Sequence, residues 1–580
     1  MLDKRRFSTV VLCFGMNPVL RLLVVNALAW ACSTNGQTTV QDIFGRTLNQ
    51  RGIALVDWDG YMANPLLTFY IFPPTNAALP GPATLTANGA RLYFDTPSNV
   101  SAGGPSKTIS LTAPSLGVPV RLSVFPDRDS LAEDYTLTIV FTGADSVRQT
   151  NTVPIHVLDL DLQRTNAFAV TENFDRDRTG FFTNATRRAL VKQAADDWTY
   201  FFADMNLDPV HAGTETTYIW SNNFNGGYYF TCTNNYTGYL LYAYGTTNST
   251  LISGGEGSYS GPVQTSGGLP LTIKRSGGFE AGIYGNYNTL GWLLLTNDSD
   301  WLVTGNLGDE TNDFYSIAHH EIGHALIFNP AHPGFSTAKG NGAFTSAAVT
   351  NYYGAPAPID ALDHLNGVID PESGQGAFGY EYYGSIPRKR WLITKMDLLC
   401  AQEVGYVLRP SAAFTPFTLP ALDPVAAAAT VAFTVSYGAS GGIPVYCWDI
   451  TAGALPPGLA LDPFTGTVAG TPTTSGDYPF TLRVRDYHEG SAGITRPTAI
   501  QVAPPPSMRL AVSLLGQGAG SQVQLLLYGT AGQQQIVQVS SNLLDWTSVA
   551  TNSLATNLFQ FLDQNPLQLP QRFYRAVTIP

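Results

Sequence analysis

Charged residues are scarce in this chain. They make up 13% of its 580 residues, about half the ~25% usual in soluble domains, which excludes long solvent-facing helices and coiled coils. Basic residues are the scarcer sign: 31 Lys and Arg against 43 Asp and Glu give a formal charge of −12 and a pI near 5.1. They are scattered, so no basic face is available for a phosphate backbone and nucleic acid is excluded as a partner. Cysteine is rarer still. None of the five stands in the C-x-x-C spacing of metal or dithiol redox sites. Cys32, Cys232, Cys400 and Cys447 read as small buried hydrophobes, and a chain of this size has core enough to fold without disulfides.

Apolar runs long enough to cross a bilayer are missing too. Lys4, Arg5 and Arg6 precede a stretch broken by Gly15, Asn17, Pro18 and Arg21; Leu22 to Ala31 is cleaner and ends Ala29-Trp30-Ala31. Small-any-small is the pattern that a signal peptidase accepts. Residues 1–31 are therefore expected to be a signal peptide and the protein to be secreted, extracellular or associated with the cell surface. Cys32 follows directly, but Ala29 stands where a lipoprotein signal usually carries Leu, so ordinary cleavage is expected over lipidation.

What is present is apolar and rich in turns. With 44% hydrophobic and 12% aromatic residues the chain can bury large cores, and 56 glycines and 38 prolines exceed the usual share of turn formers. At roughly 150 residues per domain the length calls for about four domains. Residues 33–163 carry alternating or β-branched segments, such as Leu67 to Phe72 and Tyr135 to Phe141, between Pro, Gly and Asn clusters, the pattern of a β-sandwich domain. Residues 165–409 mix elements. The spacing predicts a strand at Phe168 to Phe174 and a helix over Ala185 to Phe202, where Ala189, Leu190, Ala194 and Trp198 recur on one face. Asn312 to Phe328 and Thr394 to Val404 read as further helices, the latter with Thr394 and Asp397 as a capping pair and Gly405 as its stop. Beyond Pro410 every signal is β. Pro504-Pro505-Pro506 is a stiff linker, and residues 507–580 form a last small β-module.

One motif carries chemistry: His320-Glu321-Ile322-Gly323-His324. Two histidines four apart lie on one helix face, about 6 Å apart along the axis, and can share a zinc at about 2.1 Å. Glu321 stands beside the open coordination position, where a carboxylate takes a proton from a zinc-bound water and later passes it to a leaving amine. With eight His and 11 Glu in 580 residues, the string is expected by chance about 0.002 times. Ile317, Ala318, Ile322, Ala325 and Leu326 give the helix a buried side and leave the histidines a cleft. His319, the neighbouring residue, points about 100° away and reads as a second hydrogen-bonding group.

The string His-Glu-Ile-Gly-His-Ala-Leu resembles the opening of the signature of the metzincin zinc metallopeptidases, H-E-x-x-H-x-x-G-x-x-H with a later Met-turn. Ile327 stands where that signature has Gly, and Pro330 where it has the third His. Within the clan the chain is similar to the leishmanolysin-like branch, in which the third His follows a large insertion and a segment ending in a short helix and Gly-aromatic, as in Asp397 to Tyr406. The resemblance implies a zinc-dependent endopeptidase with an α+β zincin fold, holding Zn2+ on His320, His324 and a third ligand. His364 is favoured over His332; Asp360 or Asp363 is the carboxylate alternative. Met396 reads as plain core more than as the Met-turn, and Tyr382 or Tyr383 as packed aromatics more than as oxyanion partners.

Residues 413–503 hold Leu455-Pro-Pro-Gly-Leu459 and Gly470-Thr-Pro472 and closely resemble the putative-immunoglobulin family of bacterial surface proteins. Asp175 to Gly180 has part of a calcium-loop spacing without the distal Glu and reads as a solvated turn; Arg388-Lys389-Arg390 reads as a solvated loop. The expectation is a multidomain, monomeric chain: an α+β metzincin-like catalytic domain flanked by β-sandwich domains, cleaving protein or peptide substrates, with its C-terminal β-modules in contact with a cell surface or an extracellular polymer. The alternative is a surface adhesion or scaffold protein with a structural or decayed metal site, and the metal chemistry alone leaves a non-peptide bond open as the one cleaved.

Overall fold

The computed structural model describes residues 38–73, 82–95, 108–111, 117–142, 148–161, 168–203 without 176 and 178, short segments between 216 and 294, 311–378 without 331, 391–504, 508–516, 522–529, 533–553, 558–564 and 571–579. The expected signal peptide, Tyr382, Tyr383 and Arg388 to Arg390 lie outside the described residues. The chain divides into two compact units, Met1–Thr415 and Pro416–Pro580.

Among the described residues the first unit opens with nine strands: β1 (Thr39–Asp42), β2 (Ile53–Asp57), β3 (Leu67–Phe72), β4 (Ala83–Asn88), β5 (Leu92–Asp95), β6 (Thr108–Leu111), β7 (Val118–Val124), β8 (Glu133–Thr142) and β9 (Arg148–Asp159). They form two sheets, in the orders β1-β3-β7-β5 and β2-β9-β8-β4-β6. Among the described residues of these two sheets only the β2–β9 pair is parallel. The period of two decides which residues enter the core. Leu67, Phe69 and Ile71 of β3 are buried while Thr68, Tyr70 and Phe72 are partly exposed; Leu137, Ile139 and Phe141 do the same on β8.

Strand β10 (Val170–Asn173) follows and runs parallel to Tyr239–Gly245, which in turn runs parallel to Glu280–Gly285; Ile252–Gly255 closes the sheet antiparallel. Helix α1 (Ala185–Tyr200) starts at Asn184, whose side chain accepts from the Thr186 and Arg187 amides. Helix α2 (Phe314–Leu326) is capped by Asp313 and is buried at every residue except His324. It is an interior element, so its histidines face protein rather than bulk water. Short helices α3 (Pro333–Gly340) and α4 (Ala347–Tyr353) follow, then α5 (Lys395–Glu403), which opens on a complete capping box between Thr394 and Asp397. Among the described residues no helix is long and apolar enough to cross a membrane.

The second unit holds two β-modules. In residues 416–503 one sheet pairs Val425–Ala428, Ile494–Ala503, Gly476–Arg485 and Cys447–Gly453, and another pairs Phe433–Ser436, Thr467–Gly470 and Leu459–Leu461. Trp448, Val468, Leu482, Val484 and Ile500 fill the core. The Leu-Pro-Pro-Gly-Leu turn locks onto the Gly-Thr-Pro turn: Thr471 N donates to Gly458 O at 3.1 Å and Thr473 N to Pro457 O at 2.9 Å. Gly458 has φ +95°, and a Cβ there would fall 2.1 Å from Thr471 O, so only glycine fits. Residues 508–579 form two three-stranded antiparallel sheets around Val523, Leu525, Leu527 and Val537.

Candidate metal centre

Helix α2 is held in one rotational setting. Asp313 accepts from Ser316 N and Ser316 Oγ at its start, Asn329 Nδ2 donates to His324 O at 2.6 Å at its end, and Trp198 Nε1 of α1 donates to His319 O at 2.8 Å. His320 and His324, one turn apart, therefore project to the same side, their ring centroids 4.9 Å apart and nearly perpendicular. His364 comes to them from a tight turn. Asp360 Oδ1 accepts from Leu362 N at 2.8 Å and His364 N at 2.9 Å, and Asp363 takes φ 70°, which swings the next residue back toward the helix. Its ring centroid lies 5.2 Å from that of His320 and 4.9 Å from that of His324. One ligand atom from each of the three histidines falls within 4.8 Å of the others.

The tautomers follow from the partners. His324 Nδ1 lies 2.9 Å from Phe328 O; a carbonyl only accepts, so Nδ1 donates and Nε2 keeps its lone pair. His364 Nδ1 faces Asp360 Oδ2 at 3.5 Å, and a proton held on that side gives Nε2 the lone pair. These two Nε2 atoms stand 3.1 Å apart. Two lone pairs at that distance repel unless a cation or a proton lies between them. An added, charge-bearing proton is disfavoured: burial first, then the neighbouring imidazoles, hold His320 well below its ordinary value, burial and His364 bring His324 to about 3, and burial lowers His364 against the pull of Asp360. Neutral, preoriented imidazoles are the donor set that suits a divalent transition metal such as zinc. The residues fit such an ion.

The other candidates lie elsewhere. His332 occupies the N-cap position of α3 and stacks on Tyr406 with centroids 5.8 Å apart. Asp360 backs His364, and Asp363 pairs with Lys339. Met396 is fully buried in the first turn of α5. His319 is only 1% exposed and turns away from its neighbour His320, its Nε2 lying 2.8 Å from Asp197 Oδ2. Asp197 is also met by Tyr315 and Arg128. Asp177 does not sit in a solvated turn: its carboxylate accepts from Thr179 N, Gly245 N and Phe182 N and joins the segment before α1 to the end of the strand Tyr239–Gly245. A second convergence of carboxylates, Asp57, Asp127 and Asp159, is closed by Arg91, which pairs with Asp57 at 2.5 Å and Asp127 at 2.9 Å. The guanidinium takes the cation's place there. Glu321 is 2% exposed, on the helix between the two histidines.

Sequence reasoning missed Phe378, whose ring touches all three histidines. No spacing rule could have found it, because its place depends on how a loop returns to the helix.

Residues 415–502 match the family model described as "Putative Ig domain", so an immunoglobulin-like domain occupies this stretch. No curated protein matches the chain. Among solved structures, a putative alpha-galactosidase from Bacteroides fragilis is 24% identical over 15% of this chain and 17% of its own, with a TM-score of 0.13. The immunoglobulin domains 1–4 of Sidekick-1 are 11% identical over 30% of this chain and 54% of theirs, TM-score 0.14. The human desmocollin-1 ectodomain is 8% identical over 94% and 80%, TM-score 0.13. The chain thus spans about a sixth of the length of the galactosidase, and likenesses this distant carry no argument about the first unit.

Proposed function

We propose that the chain is a secreted, zinc-dependent endopeptidase with a metzincin-like catalytic region in its first unit. The observation that supports this reading best is the pair of lone-pair-bearing Nε2 atoms 3.1 Å apart on His324 and His364, joined by His320. A zinc ion held by His320, His324 and His364 would supply a Lewis acid to the scissile carbonyl and lower the pKa of a water toward ~7. The protein's own groups do the rest. Glu321 takes the proton of the attacking water and returns it to the leaving amine. Phe328 O and Asp360 hold the Nδ1 protons of His324 and His364 outward, so both lone pairs face the site. Against the metzincin signature, Ile327 and Pro330 still replace Gly and His; the turn at Asp360 to His364 supplies an imidazole from farther along the chain.

Protein or peptide is the substrate class, and the immunoglobulin-like and C-terminal modules would tether a monomeric enzyme to a cell surface or an extracellular polymer. The immunoglobulin-like match over residues 415–502 also favours a second reading, a surface adhesion or scaffold protein whose metal site is structural. Purified protein separates the two. One equivalent of zinc per chain and chelator-sensitive cleavage of unfolded casein are expected, with Glu321→Gln keeping the zinc and losing at least 100-fold in rate. Zinc binding with no hydrolysis would favour the scaffold, and equal cleavage by Glu321→Gln would remove the mechanism.

A further inference from the structure

Phe378 ties together ligands that come from two distant parts of the chain. Its ring is fully buried and lies parallel to His320, with centroids 4.7 Å apart and planes 9° apart. It stands edge-on to His324 at 4.8 Å and 79° and reaches His364 at 5.9 Å. Its opposite face stacks on Phe328 at 4.0 Å and 11°, so the His320 ring, the Phe378 ring and the Phe328 ring form one column. This approach depends on Gly323, since a Cβ there would fall 2.4 Å from Phe378 Cε2 and 2.9 Å from Trp198 Cζ2.

The backbone of the same residue is anchored at both ends. Phe378 N donates to Asp397 Oδ1 at 2.8 Å, and the other oxygen of Asp397 accepts from Thr394 N at 2.8 Å and Thr394 Oγ1 at 2.7 Å. Phe378 O accepts from Leu365 N at 2.7 Å, directly after His364. A carboxylate at the start of α5 therefore fixes the residue that floors the two helix histidines and steadies the turn that delivers the third. Imidazole lone pairs must point at a metal within 10–20°, and a flat ring against an imidazole face restricts the torsion that would turn it away.

We infer that Phe378, seated by Asp397 and Gly323, is the positioning residue of the three-histidine centre and sets its metal affinity and geometry. The inference rests on the metal-site reading above. It is tested by titrating metal-free full-length protein with Co2+ and Zn2+ and recording the visible cobalt bands. Phe378→Leu is expected to weaken binding 10–100-fold, the size of other changes behind metal ligands, and to shift the cobalt bands; Phe378→Met, which keeps the volume without the flat ring, does the same and serves if the leucine variant fails to fold. Phe344→Leu is the control. It removes a fully buried ring that packs on Phe328 and Phe335 and is expected to lower thermal stability comparably while leaving affinity and bands unchanged. The inference is overturned if a folded Phe378 variant keeps wild-type affinity and spectrum, or if Phe344→Leu, at matched loss of stability, alters both as much. Wild-type protein that binds no cobalt would remove the metal centre itself, a separate and recognisable failure.

Discussion

His332 stacks on Tyr406 with its Nδ1 buried and, among the described residues, without a hydrogen-bond partner, and burial lowers its pKa to about 4. The unfolded chain takes a proton there near 6.5, so stability is fully present above that value and is lost as pH falls through 6.5 toward 4. Between pH 7.5 and 4.5 this one group costs about 2.5 kcal/mol. His332→Phe keeps the ring and removes the titration. Urea unfolding of the metal-free variant is therefore expected to gain about that much on wild type at pH 4.5 relative to pH 7.5, and an equal gap at both pH values would refute it. Gly323→Ala tests the packing of α2 against Phe378 and Trp198. Its Cβ has no room against Phe378 and Trp198, so the helix propensity it gains, about 1 kcal/mol, is outweighed by overpacking, for a net loss of about 1–2 kcal/mol measurable by denaturant unfolding. The grouping of His320 and His324 was legible from spacing alone, since four residues are one helical turn. The third member was not fixed. His332 is nearer in sequence than His364, but Pro333 starts α3 and commits His332 to its N-cap, whereas the positive φ of Asp363 that brings His364 home is a property of the folded turn.

At the scale of elements, the three longer helices could be read because each has an apolar face and a capping residue: Asn184, Asp313 and Thr394 all accept backbone N–H groups. The alternation of Leu67 to Phe72 and of Tyr135 to Phe141 likewise marks β3 and β8. Helices α3 and α4 escaped because eight and seven residues leave too few turns for a period to emerge. Their local signals, Pro333 at the first turn and the Ser346 cap, are common in loops as well. Sheet order could not be read either, because the parallel β2–β9 pair joins Ile53 to Ile155 and no local rule reaches that far. The capping box of α5 yields a prediction of its own. Thr394→Ala removes the acceptor for Asp397 N and one donor to Asp397 Oδ2, a loss of about 1–2 kcal/mol. The thermal midpoint should fall accordingly. Cobalt affinity should fall with it, since the carboxylate that seats Phe378 keeps only the Thr394 N anchor on its other oxygen; unchanged affinity at a lowered midpoint would confine Thr394 to capping.

At the scale of the whole molecule, the first unit does not break where composition changes near residue 165. Its two opening sheets are tied to the helical region by buried polar groups. Asp59, fully buried, accepts from Tyr200 Oη of α1 at 2.8 Å and from Ser411 Oγ. Arg128 reaches Tyr315 Oη of α2 at 2.7 Å and Asp197 at 3.3 Å. Ala63 N donates to Ile393 O at 2.8 Å and Leu66 N to Glu372 O at 2.7 Å, and Ala63, Phe125 and Leu392 share one apolar cluster. Removing residues 38–161 would take Arg128 from Asp197 and Asp59 from Tyr200 and Ser411 and expose Leu392, and a buried carboxylate that loses its cation costs about 3–5 kcal/mol, a large fraction of the stability of any domain. A fragment of residues 38–415 is accordingly expected to be soluble, to melt cooperatively and to bind cobalt as the full chain does, while one of residues 165–415 aggregates or melts without a transition. If the shorter fragment instead folds and binds cobalt with full-length affinity, the opening sheets are a detachable module, and the contacts of Asp59 and Arg128 contribute nothing to the metal centre.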